Sequence, residues 1–554
     1  MKTIKLILSV IVILSFIFTG CQDYLEPNDD NRLTLDIVLS NPEFAEGFIM
    51  KAYNGLPTNY NFNEAIASDD AVTNDPASNI VSMVTGGWNA QNNPLATWNG
   101  SFERILYLNT FLENMDGVEW SWESTMQNEL FAKKLRAEAH ALRAWYNFNL
   151  LQAHAGVGKN GELLGFPIVK EVLDQEDNYE IPRSSFADCV DFILSDCDEA
   201  LKALPNKWED TGDALVDQVN GARNTNRING LAVRLLKSKV TLYAASPSYS
   251  ASGFTMEQAA LAAADVINAK GGLDGLKVSD LEFYNNPASS EIIWASARQT
   301  NQTNWEKNNF PPSLFGEGKT GPSQNLVDAF PMADGTPAQP GAPYENRDPR
   351  LAKYILYNGA SYHGGTIYTY SGSGIDAPGV DKYSTKTGYY LRKFLQEGVD
   401  IDPALSSPVG GQHFYTYARY TEALLNFAEA ANESVGPNDV IGGYAAVQIV
   451  EAIWNRAGIP NTYLASLDQA GLREVIRNER RIELCFEGHR FWDIRRWGLT
   501  NVMSESAKGI SIAPDQVTMS VVNVEGRNYD SHHKYGPIPY AETLKYDLIQ
   551  NEGY

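Results

Sequence analysis

Amphipathic helical periodicity recurs along most of this chain and limits its possible folds more than any other feature. Residues 130–153 show it clearly, because apolar side chains return at the spacing that places them on one face of a helix. Similar patterns cover residues 42–54, 98–115, 185–204, 228–245, 256–269, 413–434, 442–457 and 468–487. Most of these segments follow one another across short links. The pattern therefore predicts helical hairpins and a mainly α fold.

Two of these segments, 137–146 and 419–430, mix small residues with bulky ones at helical spacing. Closely stacked tetratricopeptide-like hairpins require this mixture. Neither segment matches the strict repeat of about 34 residues. We therefore expect a degenerate helical repeat as the scaffold, over about 40–270 and 413–487.

Residues 271–410 are rich in Gly, Pro, Asn, Ser and Tyr and contain only short strand-like runs, such as 291–295 and 389–394. We interpret this stretch as a long loop-rich insertion in the helical scaffold. Residues 55–97 are also loop-rich, and 488–554 are expected to be irregular. Because long excursions from a rigid scaffold often carry its binding surface, we expect ligand contacts there.

The first residues have the pattern of an export signal. Two lysines precede the apolar stretch 6–18, which is too short for a bilayer-spanning helix of about 20 residues. Small residues come immediately before Cys21, as a lipoprotein signal peptidase requires. We predict a signal peptide at 1–20, a lipidated Cys21 and a mature chain of 21–554 held to a membrane by its acyl anchor. The alternative is an ordinary secretory signal with an incidental cysteine.

The net charge of the chain is −24, or −26 once the two lysines of the signal are removed. Such an acidic surface repels nucleic acids and other polyanions, so we expect no nucleic-acid partner. Neutral ligands remain compatible with it.

Besides Cys21, the mature chain contains three cysteines. Cys189 and Cys197 lie eight residues apart in one predicted helix, about 12 Å along its axis, which is too far for a disulfide. We expect these two and Cys485 to be buried free thiols. The chain has no CxxC motif, and its histidines lack ligand spacing apart from the adjacent His532 and His533, which we expect to be solvated. We predict no metal site and no cofactor.

Residues 477–498 combine arginines, aromatic residues and acidic residues at high density. Arginines among aromatics could form a nucleic-acid surface, and His489 with Asp493 could be half of a catalytic triad. However, acidic side chains match most of the arginines at helical spacing, and no G-x-S-x-G nucleophile motif occurs in the chain. We therefore predict an ion-paired helix capped at Gly488.

This run also resembles the C-terminal signature of the SusD/RagB family of outer-membrane nutrient-binding lipoproteins. Other motifs similar to those of the family follow in the same order along the chain. They are the mature start at 21–27, the first long helix at 98–115, the RDPRL element at 347–351, the helix at 419–430, the R-A-G turn at 456–458, the PIP element within 536–539 and the closing segment 550–554.

The resemblance implies a mainly helical fold built on tetratricopeptide-like hairpins. It also implies a position as a lid over a TonB-dependent outer-membrane barrel of the SusC type, to which the protein would deliver oligosaccharide. Members bind various glycans and some bind peptides, so a peptide ligand is the alternative. We expect no enzymatic activity, because no hydrolase context surrounds any pair of carboxylates that could serve a glycoside hydrolase.

The candidate ligand contacts are aromatic side chains with amides beside them, because sugar rings stack on aromatic faces while amides bind the hydroxyls. Two loops offer this combination, one with Trp88 and Asn89 and the other with Asn304 and Trp305. We expect both indoles to be exposed, although packing against a neighbouring loop is an equal alternative.

Acidic ligand contacts are implied by the resemblance at Asp69 and Asp70. Trp98 and Trp294, in contrast, have apolar periodicity around them and are assigned to the core. If the two loop tryptophans do not bind ligand, the next candidates are Tyr284, Tyr362 and Tyr370.

Overall fold

The computed structural model describes Ile37 and residues 40–174, 176–274, 276–342 and 344–554. The predicted signal peptide and Cys21 lie outside these residues. Among the helices of the described part, none combines the length and hydropathy that crossing a bilayer requires.

Long helices occupy the positions that the periodicity predicts, with a few short ones between them. In the first half of the chain they are α1 Pro42–Tyr53, α2 Asn63–Ala67, α3 Asn79–Ser82, α4 Trp98–Asn114, α5 Thr125–His154, α6 Phe186–Leu201, α7 Ala214–Asn220, α8 Gly230–Ala245 and α9 Met256–Lys270. In the second half they are α10 Asn304–Asn309, α11 Gln324–Ala329, α12 Pro349–Tyr354, α13 Tyr420–Val435, α14 Ala446–Ala457, α15 Gln469–Glu483, α16 Arg490–Arg496, α17 Thr500–Met503 and α18 Tyr540–Thr543.

The strands are short and pair two by two, all antiparallel. They are β1 Ala71–Thr73, β2 Gly156–Val157, β3 Leu163–Leu164, β4 Ile292–Ala295, β5 Gln299–Gln302, β6 Thr320–Pro322, β7 Ile355–Leu356, β8 Ala360–Tyr362, β9 Gly365–Ile367, β10 Tyr390–Leu391, β11 Gly411–His413, β12 Thr416–Arg419, β13 Val440–Ile441, β14 Tyr444–Ala445, β15 Ala507–Ile512 and β16 Met519–Glu525.

The long helices pack in succession. Helix α1 contacts α4, α4 contacts α5, and the series continues through α6, α8, α9 and α13, which also contacts α14 and α15. Each helix thus buries its apolar stripe against its neighbours, as stacked hairpins do. The predicted mainly α fold is confirmed.

Local signals explain where these helices begin and end. The Ser124 hydroxyl accepts a hydrogen bond from the Gln127 backbone N–H at the start of α5. Helix α9 begins with a capping box between Thr255 and Gln258, and ends at Gly271, whose φ of +104° suits glycine.

Three secondary-structure predictions are wrong. The helix predicted to be capped at Gly488 ends at Glu483, with Leu484 as its C-cap. The helix predicted at 413–434 begins only at Tyr420, because the residues before it form β11 and β12. The segment 488–554, expected to be irregular, contains the hairpin β15–β16. Most residues of β16 are exposed. The strand therefore does not show the alternation of buried and exposed residues that marks a half-buried strand.

Two apolar cores support the fold. The first fills the helical stack and contains Trp294, which is 1% exposed, as predicted, together with Trp98. The second lies among the loop-rich segments and includes Phe310 and Tyr390. Residues after the end of α15, such as Phe491, also belong to it. The three cysteines of the described residues are buried free thiols, which confirms that prediction.

A buried ionic cluster joins distant segments to α15. Glu483 binds Arg350, Arg419 and Arg456 at 2.8, 3.1 and 2.7 Å, and Glu479 also pairs with Arg350. The expectation that the acidic residues of this run pair with its own arginines at helical spacing is therefore wrong for Glu479, Glu483 and Glu487, the last of which pairs with Lys393 and Arg419. Tertiary packing brings more distant arginines to them, although Arg496 does pair with Asp493 three residues before it.

Candidate functional site

A cavity of about 380 Å³ lies where α5, α8 and α13 meet the segment before α2 and the turn between α15 and α16. Its wall combines half-buried aromatic rings with amide side chains. The residues that line the cavity include Asn59, Tyr60, Asn61, Asn63, Glu64, Trp145, Asn149, Gln152, Lys239, Tyr243, Tyr415, Tyr417, Glu422, His489 and Trp492.

Four aromatic rings form a continuous series along one wall. The ring centroids of Trp145 and Tyr417 are 6.4 Å apart, those of Tyr417 and Tyr415 5.3 Å, and those of Tyr415 and Tyr60 4.5 Å. All four side chains are only partly buried. The series therefore offers aromatic surface to a molecule in the cavity.

Regular backbone geometry places these rings together. Tyr417 is the second residue of β12 and Tyr415 immediately precedes the strand, so the two side chains, two residues apart, point to the same side and line the cavity. Behind them lies the core residue Trp294, whose ring centroid is 4.4 Å from that of Tyr417 and 5.3 Å from that of Trp145. The aromatic wall thus rests on a packed layer that holds it in place.

Helix α5 presents polar groups beside its tryptophan. Trp145, Asn149 and Gln152 follow one another at helical spacing and share one face of α5. The Gln152 amide donates to the Tyr243 hydroxyl at 2.7 Å, which orients both groups at the edge of the cavity. With the asparagines before α2, this face supplies donors and acceptors suited to hydroxyl groups.

Two basic side chains at the cavity floor, Lys239 and His489, lie beside the same carboxylate. Lys239 pairs with Glu422 at 3.0 Å, and His489 lies 3.9 Å from the same carboxylate. Burial alone would raise the pKa of Glu422, but Lys239 and His489 lower it below its usual value. Burial lowers the pKa of His489, so this ring is neutral near pH 7.

Asp493 is likewise committed to a structural role. Its carboxylate binds Arg480 at 2.9 Å and Arg496 at 2.8 Å. These two arginines hold the carboxylate in a buried ionic cluster behind the cavity.

The expectation that Trp88 is exposed is wrong. Its side chain is 5% exposed, because it stacks on His533 with ring centroids 5.0 Å apart, and the Arg495 guanidinium lies 5.2 Å from the ring. In this arrangement the indole packs inside the second core and is closed to a ligand.

Trp305 is buried too, at 6% exposure, against the expectation of an exposed loop ring. It stacks on His413 with ring centroids 4.1 Å apart and meets Tyr60 edge-on at 5.4 Å. Its indole N–H donates to Asn59 at 2.7 Å. Trp305 therefore lies behind the aromatic wall and supports Tyr60 and Asn59, which face the cavity.

Asp69 and Asp70 are buried in ion pairs rather than presented to solvent. Arg481 binds both carboxylates at 2.8 and 2.7 Å, and Arg490 binds Asp69 at 2.8 Å. Burial tends to raise the pKa of Asp69, but the two arginines hold it well below its usual value. These contacts tie the turn before β1 to α15 and α16.

The remaining predicted contacts lie outside the cavity wall. Asn89 is exposed, and its side-chain oxygen accepts from the backbone N–H groups of Gln91 and Asn92 within its own turn. Asn304 is exposed at the start of α10. Of the alternative tyrosines, Tyr284 and Tyr362 are buried in the second core and Tyr370 packs against it.

Sequence reasoning missed Tyr60, Trp145, Tyr415 and Tyr417. Trp145 lies in a strongly helical segment, where an aromatic residue is usually part of the core. A usable signal was the alternation of Tyr415 and Tyr417 just before the helix at 420, since alternate aromatics on a strand share one face.

Among the described residues, one cluster of side chains could offer three metal ligands. Asp530, His532 and His533 each have a ligand atom within 4.8 Å of the others. His533 is 5% exposed rather than solvated as expected. Its Nδ1 accepts from the Asp530 backbone N–H at 2.7 Å, so the neutral ring carries its proton on Nε2.

Comparisons with known proteins agree with this architecture. A family model described as the SusD family matches residues 290–554, and one described as starch-binding and associating with the outer membrane matches residues 23–219. SusD-like protein P25 of Formosa agariphila is 28% identical over 198 residues, which are 35% of this chain and 33% of that protein.

Solved structures share the whole fold. A SusD-like protein from Bacteroides fragilis is 26% identical with a TM-score of 0.76, covering 95% of this chain and 100% of the other. A SusD-like carbohydrate-binding protein from the same species is 22% identical with a TM-score of 0.72, covering 92% and 98%.

Proposed function

Because this chain belongs to the SusD/RagB family, we propose that it captures oligosaccharides in the cavity between the helical stack and the segment before α2. The observation that carries this proposal is the series of four partly buried rings from Trp145 to Tyr60 with amides beside it. Sugar rings present apolar C–H faces to aromatic groups and hydroxyls to amides, so the wall matches both halves of a saccharide.

The cellular role follows from the family and from the N-terminal sequence. The protein is anchored to the outer membrane through a lipid on Cys21, at the cell surface, and passes its ligand to a TonB-dependent transporter of the SusC type. The family model described as starch-binding and associating with the outer membrane supports this location and this class of ligand. It is a binding protein and not an enzyme.

Replacing Trp145 by alanine tests the proposal. The variant should lose roughly 1 to 3 kcal/mol of binding free energy, a tenfold to hundredfold loss of affinity, because it removes one end of the aromatic wall. Calorimetry against a panel of neutral oligosaccharides measures the effect, and Tyr415→Ala should weaken binding in the same way. Thermal melts check that both variants are folded.

Trp122→Ala is the matched control, because the Trp122 side chain is 83% exposed and lies outside the cavity wall. It should bind like the unmodified protein. Equal affinity in Trp145→Ala, Tyr415→Ala and Trp122→Ala would refute the cavity as the binding site. Binding of peptides but of no saccharide would replace the glycan proposal by the peptide alternative.

A further inference from the structure

One carboxylate in the cavity, that of Glu64, has no ionic partner. The other acidic groups of the wall are paired, as Glu422 is with Lys239 and Glu487 with Arg419. In the described part of the chain, Glu64 forms no ion pair, and its carboxylate accepts a hydrogen bond only from its own backbone N–H. It lies in the first turn of α2, a helix of only five residues.

Glu64 lines the same cavity as the aromatic rings of Tyr60 and Tyr415. Its carboxyl group lies beside the turn before α16, because a Cβ added at Gly488 would be 3.8 Å from Glu64 Cδ. Burial raises the pKa of this carboxyl above the usual value. An unpaired carboxylate in such a place lacks the cation that would normally offset its burial.

The fixed cations near the cavity do not supply that charge. Lys239 is held by Glu422, and Arg480 and Arg496 are held by Asp493 and by Glu429 behind the wall. Among the described residues the wall therefore has no uncommitted arginine or lysine to receive an acidic sugar, but it does have an uncommitted carboxylate in the cavity that Tyr60 and Tyr415 also line. Aromatic faces with a carboxylate are the usual surroundings of a bound ammonium group.

We propose that Glu64 is a specificity-determining residue that selects a sugar carrying a protonated amine, by pairing its carboxylate with the ammonium group inside the aromatic-lined cavity. This proposal rests on the proposed function and narrows its ligand to amine-bearing glycans. Sugars with a carboxylate or sulfate group are rejected at the same place, because Glu64 repels them and no free cation compensates.

Matched pairs of monosaccharides test this directly. Glucosamine and glucose, galactosamine and galactose, and mannosamine and mannose each differ by an ammonium group in place of one hydroxyl. Affinities at millimolar concentration are measured by ligand-observed NMR for the unmodified protein, for Glu64→Gln and for Glu43→Gln. Glu43 is exposed and outside the cavity, so Glu43→Gln makes the same change in net charge without touching the site.

In at least one pair the amine form should bind the unmodified protein about tenfold more tightly, consistent with a partly buried charge-assisted contact. Glu64→Gln should abolish this preference while Glu43→Gln keeps it, and thermal melts should show both variants folded. The proposal is overturned if the hydroxyl form binds as well as the amine form in every pair, or if the preference survives in Glu64→Gln.

The two proposals can fail separately. Equal binding of amine and hydroxyl forms, together with weaker binding by Trp145→Ala, would reject the role of Glu64 and leave the glycan-binding function standing. No binding of any monosaccharide or oligosaccharide would reject both.

Discussion

His154, the last residue of α5, is fully buried and uses both ring nitrogens. Its Nε2 accepts from the Thr97 backbone N–H at 3.2 Å, and its Nδ1 donates to the Pro537 carbonyl at 2.8 Å. These partners fix the neutral tautomer, because a second proton on Nε2 would face the Thr97 N–H. Burial lowers the pKa of His154 to about 4 from 6.5.

Stability should therefore fall between neutral pH and about pH 4. Above 6.5 the ring is neutral in both states, whereas below this the unfolded chain binds the proton and the folded protein does not until about pH 4. At about pH 5 this histidine alone should cost about 2 kcal/mol. Urea unfolding at neutral pH and at about pH 5 measures it. His154→Gln should lose correspondingly less stability over that interval, and an identical loss in both proteins would contradict the assignment.

Because Trp88 is buried, its replacement should change the stability of the protein. Trp88→Ala should lower the free energy of unfolding by about 3 to 5 kcal/mol through the cavity that it leaves. The exposed Trp122 provides the control, since Trp122→Ala should stay within about 0.5 kcal/mol of the unmodified protein. Denaturant unfolding compares them. If Trp88→Ala were as stable as Trp122→Ala, the packing of the second core around Trp88 would be disproved.

At the scale of elements, the buried ionic cluster connects parts of the chain that lie far apart in sequence. Glu483 at the end of α15 binds Arg350 on α12, Arg419 at the end of β12 and Arg456 on α14. Burial alone would raise the pKa of Glu483, but these arginines keep it well below its usual value. The carboxylate therefore stays charged and holds the loop-rich part against the helical stack.

Glu483→Gln should destabilise the protein by about 3 to 5 kcal/mol, because it leaves buried arginines without full compensation. Glu474→Gln on the same helix is the control, since that exposed carboxylate pairs with Arg477 in solvent and contributes at most about 1 kcal/mol. Chemical unfolding of both variants measures the difference. Equal stability of the two would mean that the cluster does not join these elements.

For the whole molecule, the cavity lies at the boundary between two cores. Trp145 and Phe486 both line the cavity. Trp145 of the helical stack packs against the first core, whereas Phe486, in the turn after α15, belongs to the second core. Helix α15 contributes Leu472 and Ile476 to the first core and Ile482 to the second, and Trp492 of α16 packs against both. A ligand in the cavity would consequently touch both parts of the molecule, so binding should raise the stability of the fold as a unit.

The attachment of the whole molecule to a membrane depends on Cys21, which lies outside the described residues. Cys21→Ala should give an unlipidated protein that is released from the membrane fraction. Fractionation with radiolabelled palmitate measures this, and Cys189→Ala, which removes a buried thiol, should keep both label and membrane retention. Retention and labelling of Cys21→Ala at the level of the unmodified protein would disprove the lipoprotein prediction.

The sequence alone determined the positions of the long helices, the burial of Trp294 and the free state of the three described cysteines. Each depends on local spacing: helical periodicity marks one apolar face, and eight residues along a helix separate two thiols beyond disulfide reach. The ordered motifs likewise identified the family before any contact was known.

Only the tertiary structure decided which aromatic rings face the cavity. Trp88 and Trp305 occur in polar loops, but segments distant in the sequence cover them with His533 and His413. Trp145, in a helix that looks like core, stays partly open because the chain before α2 leaves a cavity above it. The partners of Glu483 and the isolation of Glu64 have the same origin. Exposure and charge pairing depend on groups brought together by folding, and local sequence spacing does not contain that information.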